Sequence, residues 1–273
     1  MTNANDLAAQ FIATVTWQSL HHAVQEKALM CLVDNLGAML AGTLTRISQI
    51  GAEYAAITWP GDQATIVLHA KHASAIGAAF ANGCAANAID IDDSARYAYG
   101  HAGAQIFTTA LAVAEAHGLS GAQLLTGMVV GYEIAHRVGR CWHASRPIYQ
   151  ACGSWGSVVC AAVAAHLMGL PAEQAWQALG IAEYHDPNLP MMRDIDHPTM
   201  VKHGIEWAAM TGIVSAELAG LVLSPGQADE TLEALGASTR SRIYGSLPAA
   251  CSKRKPIDQY CSWKHWKLRL STS

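Results

Sequence analysis

Apolar residues recur at helical spacing along almost the whole chain. Leu7, Ala8, Phe11 and Ile12 form a short stripe, and residues 20–41 carry a longer one that stops at Gly42, a natural helix-closing residue. Residues 47–57 predict another helix, halted by Trp59-Pro60-Gly61. The exception is the β-branched run ATIVL at 64–68, the one convincing strand. Helices are then predicted over 74–89, over 104–117 with Gly118 closing it, and over 121–139 with Ser120 as cap. Residues 154–168 are rich in Ala and should be buried on most faces. Pro171 opens a helix reaching 182, residues 184–199 read as a loop with three prolines, and a last long helix covers 201–223. No segment repeats. The pattern predicts an all-α fold, a multi-helix, bundle-like domain with at most one or two short strands.

Composition sharpens this picture. Half the residues (51%) are apolar while aromatics make up only 7%, so small side chains let helix axes approach closely. The formal net charge of −4 offers no general attraction to nucleic acid or to an anionic membrane, and neither is expected as a partner. No uninterrupted apolar run reaches the roughly 20 residues of a membrane span, and the first residues lack a secretory pattern, so a cytoplasmic protein is expected. Seven scattered cysteines without a CxxC pair predict reduced thiols. Six of the 17 basic residues but only one of the 21 acids lie from Lys253 onward, which leaves net −9 before it. We therefore divide the chain into a helical domain at 1–244 and a basic tail at 245–273, expected to be solvated or disordered.

Two segments carry candidate chemistry. Asp90-Ile91-Asp92-Asp93-Ser94 is followed by His101-Ala102-Gly103. Crowded carboxylates repel, so their pKa values separate, and a carboxylate beside an imidazole is equipment for proton transfer. The bland alternative is a helix end running into a solvated acidic loop. Lys202-His203-Gly204 begins the last predicted helix, where a lysine and backbone N–H groups suit a carboxylate ligand; the alternative is a surface lysine. Arg137 and Arg140 read as helix-end residues, and His136, His143 and His185 as structural histidines. The pairs His21-His22 and His69/His72, and His197, lack metal-ligand spacing, so no metal site is expected. GxGxxG, GxxxxGK[ST] and GxSxG are absent, and Mg²⁺-diphosphate binding at Asp90–Asp93 lacks a second acidic motif.

In order along the chain stand VDNLGAMLAG (33–42), ASAIGAAFANGCAANAIDIDDS (73–94), HAG (101–103), ALAVAEAHGLSGAQLL (110–125), GYEIAHRVG (131–139), CGSWGSVVCAAVAAHLMGL (152–170), ALGIA (178–182) and MVKHGIEWAAMTGIVSAELA (200–219). Together they resemble the MmgE/PrpD family of dehydratases, decarboxylases and epimerases. The resemblance implies a helical domain that forms a homodimer and works without metal or organic cofactor. It implies a lyase or epimerase that moves a proton next to a carboxylate of a small di- or tricarboxylic acid. By motif position, Asp90, His101 and Lys202 would be catalytic, and Ser94, Asp93, Lys202 and Gln150 would hold substrate. Two features depart from the pattern. Arg146-Pro147-Ile148-Tyr149-Gln150 stands where the family carries a histidine, with Gln150 or His143 as a substitute. The family's second, α+β domain has no counterpart before the chain ends, which makes a truncated, catalytically impaired member with an intact helical fold and dimer interface the alternative.

Overall fold

The structure, a computed structural model, describes residues 4–196 and 202–221; the expected boundary at 244 and the basic tail lie outside them. Ten α-helices, a 3₁₀ turn at Trp17–Ser19 and one hairpin make up the regular structure of the described part. They are α1 (Ala4–Thr14), α2 (His22–Gly42), α3 (Arg46–Thr58), β1 (Ala64–Ile66), β2 (Lys71–Ala73), α4 (Ala75–Ala86), α5 (Gly103–Ala116), α6 (Gly121–Ser145), α7 (Cys152–Leu167), α8 (Ala172–Tyr184), α9 (Met191–Asp196) and α10 (Ile205–Leu221). The fold is all-α, as the periodicity predicts.

The helices begin where the sequence supplies acceptors for free backbone N–H groups. Thr45 caps α3, Ser74 caps α4, and Ser120 forms a reciprocal capping box with Gln123. β1 pairs antiparallel with β2 in the register Ala64↔Ala73, and the expected strand stops at Ile66 because Leu68 and Ala70 turn through left-handed backbone. Asn82 of α4 fastens this hairpin, accepting from Val67 N at 3.0 Å and donating to Thr65 O at 3.0 Å.

Packing is layered around α4 and α7, which bury nearly every residue they contain. α10 lies along α7 and also meets α4, α5 and α8. Trp155, Ile106, Met128, Ile134 and Ile213 are fully enclosed between these layers. Each such aliphatic side chain contributes about 1.5–3 kcal/mol through removal from water.

Two glycines that look like helix ends are also sites of close contact. α2 does end at Gly42, where a Cβ would lie 1.9 Å from Ala85 O, so this glycine also lets α4 approach. A Cβ on Gly139 would lie 2.5 Å from Ala98 O, and α6 runs on to Ser145. The predicted helix at 74–89 ends earlier, with Asn87 as its C-cap, and the expected loop at 184–199 contains the short helix α9. Unpaired thiols are found at Cys31, Cys84, Cys152 and Cys160 but not at Cys141; Cys251 and Cys261 lie outside the described residues. Among the described residues no single helix is long and apolar enough to cross a membrane; α2 and α3 pass that test only jointly, across a 92° bend.

Candidate active site

The acidic segment leaves α4 through a tight turn. Asp90 adopts left-handed backbone (φ 61°), as do Tyr99 (φ 58°) and Lys202 (φ 35°) on the neighbouring loops. For residues with a Cβ this costs of order 1–3 kcal/mol each, and it persists only where the surroundings impose it. Here hydrogen bonds do so. Ala95 N donates to Gly100 O at 2.9 Å, Asp93 Oδ1 accepts from Gly103 N at 2.7 Å and caps α5, and His101 N donates to Cys152 Sγ at 3.0 Å. On the facing side, Gly153 N at the start of α7 donates to His203 O at 2.9 Å, and Ala151 N donates to Leu189 O at 2.8 Å.

These anchors bring two imidazoles together over one carboxylate. The rings of His101 and His203 stack with centroids 5.5 Å apart and planes 14° from parallel. His203 Nε2 lies 3.1 Å from Asp90 Oδ1, and His101 Nε2 lies 3.4 Å from the same oxygen. Each ring is held from behind by a second acid. His203 Nδ1 is 2.5 Å from Asp194 Oδ2, while His101 Nδ1 faces Asp92 Oδ2 at 3.1 Å and the Asp92 carbonyl at 3.2 Å. Asp92 is buried and receives 2.7 Å from Asn87 Nδ2 on its other oxygen.

The electrostatics follow from this arrangement. The interaction in which protonated His101 donates to Asp92, helped by the charges of Asp92 and Asp90, outweighs burial and raises the His101 pKa to about 9. Burial alone would raise Asp90, yet the charges of His203, His101 and Lys202 hold its carboxyl below the ordinary value. Burial pushes the Cys152 thiol up to about 12, so it serves as a packed hydrogen-bond partner rather than a nucleophile.

Asp90, Ser94 and His101 line one cavity of about 450 Å³, with Arg96, Tyr149, Cys152 and His203. Lys202 is outside that lining but within electrostatic reach of Asp90. Asp93 turns away. Its second oxygen accepts from the Tyr132 hydroxyl, and it borders a larger groove of about 1120 Å³ between α1, α2 and α6. That groove exposes mostly apolar surface, with His21, Lys27, Glu133 and His136 among its lining, whereas His101 and His203 converge on Asp90 in the smaller cavity, which we take as the site. Gln150 is buried and accepts from Ser154 Oγ at 3.2 Å, pointing along α7 rather than into the cavity. Asp90 Oδ1, His101 Nε2 and His203 Nε2 also lie within 4.8 Å of one another, close enough to share a metal ion.

Sequence reasoning overlooked His203 and Asp194. His203 sat beside the more conspicuous Lys202, and Asp194 sat in a segment read as loop. The only available signal was the density of His and Asp around two prolines, which does not say what faces what.

The MmgE/PrpD N-terminal domain matches residues 6–221 of the chain. Cis-aconitate decarboxylase of Homo sapiens is 29% identical over 261 residues, which cover 91% of this chain and 53% of that protein. Cis-aconitate decarboxylase-like protein oryM of Aspergillus oryzae is 26% identical over 213 residues, 72% of this chain and 42% of the relative. The chain thus spans about half the length of the curated relatives it matches. With its match over the whole described fold, the chain belongs to the MmgE/PrpD family.

Proposed function

We propose that the protein is a lyase, a dehydratase or decarboxylase, or an epimerase, acting on a small di- or tricarboxylic acid. The observation that carries this reading is the convergence of His101 and His203 on Asp90, in a cavity that also presents Arg96 and Ser94. A volume of about 450 Å³ suits a small acid, and the two relatives' names point to the same substrate class.

The chemistry draws on side chains alone. Arg96 and Ser94 hold the substrate carboxylates, and Lys202 attracts them from outside the lining. Asp90 accepts the proton from the carbon beside a carboxylate, and the electron pair of that C–H bond spreads into the carboxylate, where the cationic groups stabilise it. His101 returns a proton, to a departing hydroxyl in dehydration or to carbon in epimerisation; in decarboxylation no C–H bond breaks, the C–C bond to the departing CO₂ leaves its electron pair on carbon, and His101 protonates that carbon. Asp93 acts one step back, fixing the loop that presents Asp90 and Ser94 by capping α5.

We also propose that the active form is a homodimer. Leu29, Val33, Leu36 and Leu40 form an exposed apolar stripe on α2 at i, i+4, i+7 and i+11, of the kind that a second copy covers.

The test is exchange of carbon-bound hydrogen for deuterium in a panel of small carboxylic acids, followed by NMR. Wild type should exchange or convert at least one of them, and Asp90→Asn should lose about 10²–10⁴-fold. A folded wild-type chain that leaves every acid untouched would favour the impaired family member.

A further inference from the structure

The catalytic cavity has two unlike halves. On one side stand Asp90, Arg96, His101 and His203; on the other stand Tyr99, Tyr149, Ala151, Cys152, Met191 and Ile195. The charged half is largely committed to itself. His101 faces Asp90 and Asp92, and His203 faces Asp90 and Asp194, so three carboxylates already answer the two imidazoles. For an incoming anion, the described residues leave Arg96 in the lining and Lys202 just outside it. Two cations match two carboxylates.

The other half brings no cation. The Cys152 thiol stays protonated, pushed up to about 12 by burial. The Tyr149 hydroxyl donates to Tyr99 O at 2.7 Å, and its ring stacks on His143 with centroids 4.7 Å apart and planes 17° from parallel. α7 begins at this wall, yet its leading N–H groups are taken: Ala151 N donates to Leu189 O, Gly153 N to His203 O and Ser154 N to Ala151 O, at 2.8, 2.9 and 3.0 Å. α9 adds Met191 and Ile195 without burying any residue of its own. Tyr99, Tyr149 and Ile195 are 49%, 50% and 62% exposed, so this wall presents apolar surface that water still covers. A carboxylate pressed against it would shed water and gain no opposite charge. An alkyl group there gains about fourfold in affinity for each methylene removed from water.

We propose that the cavity selects a dicarboxylic acid carrying an alkyl substituent of a few carbons over a tricarboxylic acid. Arg96 and Lys202 take the two carboxylates, and the substituent lies along Tyr99, Tyr149 and Ile195. The inference rests on the reading of this cavity as an acid site and narrows the substrate class within it.

The experiment measures binding rather than turnover, by isothermal titration calorimetry of the full chain with three saturated probes: methylsuccinate, propylsuccinate and propane-1,2,3-tricarboxylate. Propylsuccinate, with two more methylenes, should bind about 10–20-fold more tightly than methylsuccinate, and at least about tenfold more tightly than the tricarboxylate. Ile195→Lys sets a cation in the wall at an exposed helical position. Its circular dichroism spectrum should match wild type while the order of propylsuccinate and the tricarboxylate reverses. Equal or tighter binding of the tricarboxylate by wild type, an order that folded Ile195→Lys leaves unchanged, or binding of none of the three overturns the inference. The deuterium-exchange panel is read separately. A chain that binds the probes in the expected order but exchanges no acid refutes only the functional reading, and a chain that exchanges acids but favours the tricarboxylate refutes only this inference.

Discussion

Glu206 opens α10 with its side chain almost sealed from water, 7% exposed against the backbone of Gly83. Burial disfavours the charged form and Asp194 adds repulsion. Its own backbone N–H and Lys202 oppose the rise, but the carboxyl is still pushed from the ordinary 4.5 to about 7. Cys84 is the other titrating neighbour, and Glu206 raises its thiol in turn. The folded chain therefore keeps a proton that the unfolded chain releases. Stability from this group is complete below about pH 4.5 and is lost as pH climbs through about 7. The gap between those two values corresponds to about 3 kcal/mol. Glu206→Gln keeps the shape and the hydrogen-bonding atoms but cannot ionise. In urea unfolding near pH 5 and near pH 8, wild type should lose about 2–3 kcal/mol of stability that the glutamine variant retains. Stability curves that run parallel for the two proteins across that range would refute the reasoning, because they would mean that Glu206 ionises as freely in the fold as out of it. Glu206 lies close to the site in sequence, since α10 starts immediately after the turn holding His203.

Other perturbations test other links. Gly139→Ala puts a methyl 2.5 Å from Ala98 O in the wall behind the cavity; it should cost about 1–3 kcal/mol, read as a lower Tm, and should displace Tyr99 and the loop around it. Val33→Asp sets a charge in the α2 stripe; light scattering should show a dimer becoming a monomer while the helical circular dichroism signal is kept. If wild type is itself a monomer, the α2 stripe has some other partner.

Much of the fold was legible because helical periodicity is a local property. The Ala-rich run 152–167 announced a buried helix, and α7 is buried along nearly its whole length. What misled was glycine. Gly42 and Gly139 carry the same local signal of a helix terminus; α2 does end at Gly42, whereas α6 runs past Gly139, and only the backbone at Ala98 shows that this glycine is there for clearance. The hairpin was half seen for a related reason: Lys71 and His72 are exposed and polar, so β2 has no apolar alternation to betray it.

The site divides along the same line. Asp90, Ser94 and His101 belong to one loop between α4 and α5, and a loop that carries an acid cluster and a histidine within a dozen positions can be suspected from sequence alone. Their partner in geometry, His203, is 113 positions from Asp90, and no periodic pattern encodes which end of α10 faces which end of α4. The choice between Lys202 and His203 also turned on a quantity absent from sequence, the direction of each side chain. Lys202 carries the charge, which made it conspicuous; His203 is pinned through its carbonyl to Gly153 and through its ring to Asp194, which makes it aimed. Aim decides what happens at a point, whereas charge acts over a neighbourhood. On that ground His203 and Lys202 have separable roles. Removing the imidazole should abolish events located at Asp90 Oδ1, and removing the amine should weaken every anion that enters the cavity by a similar factor.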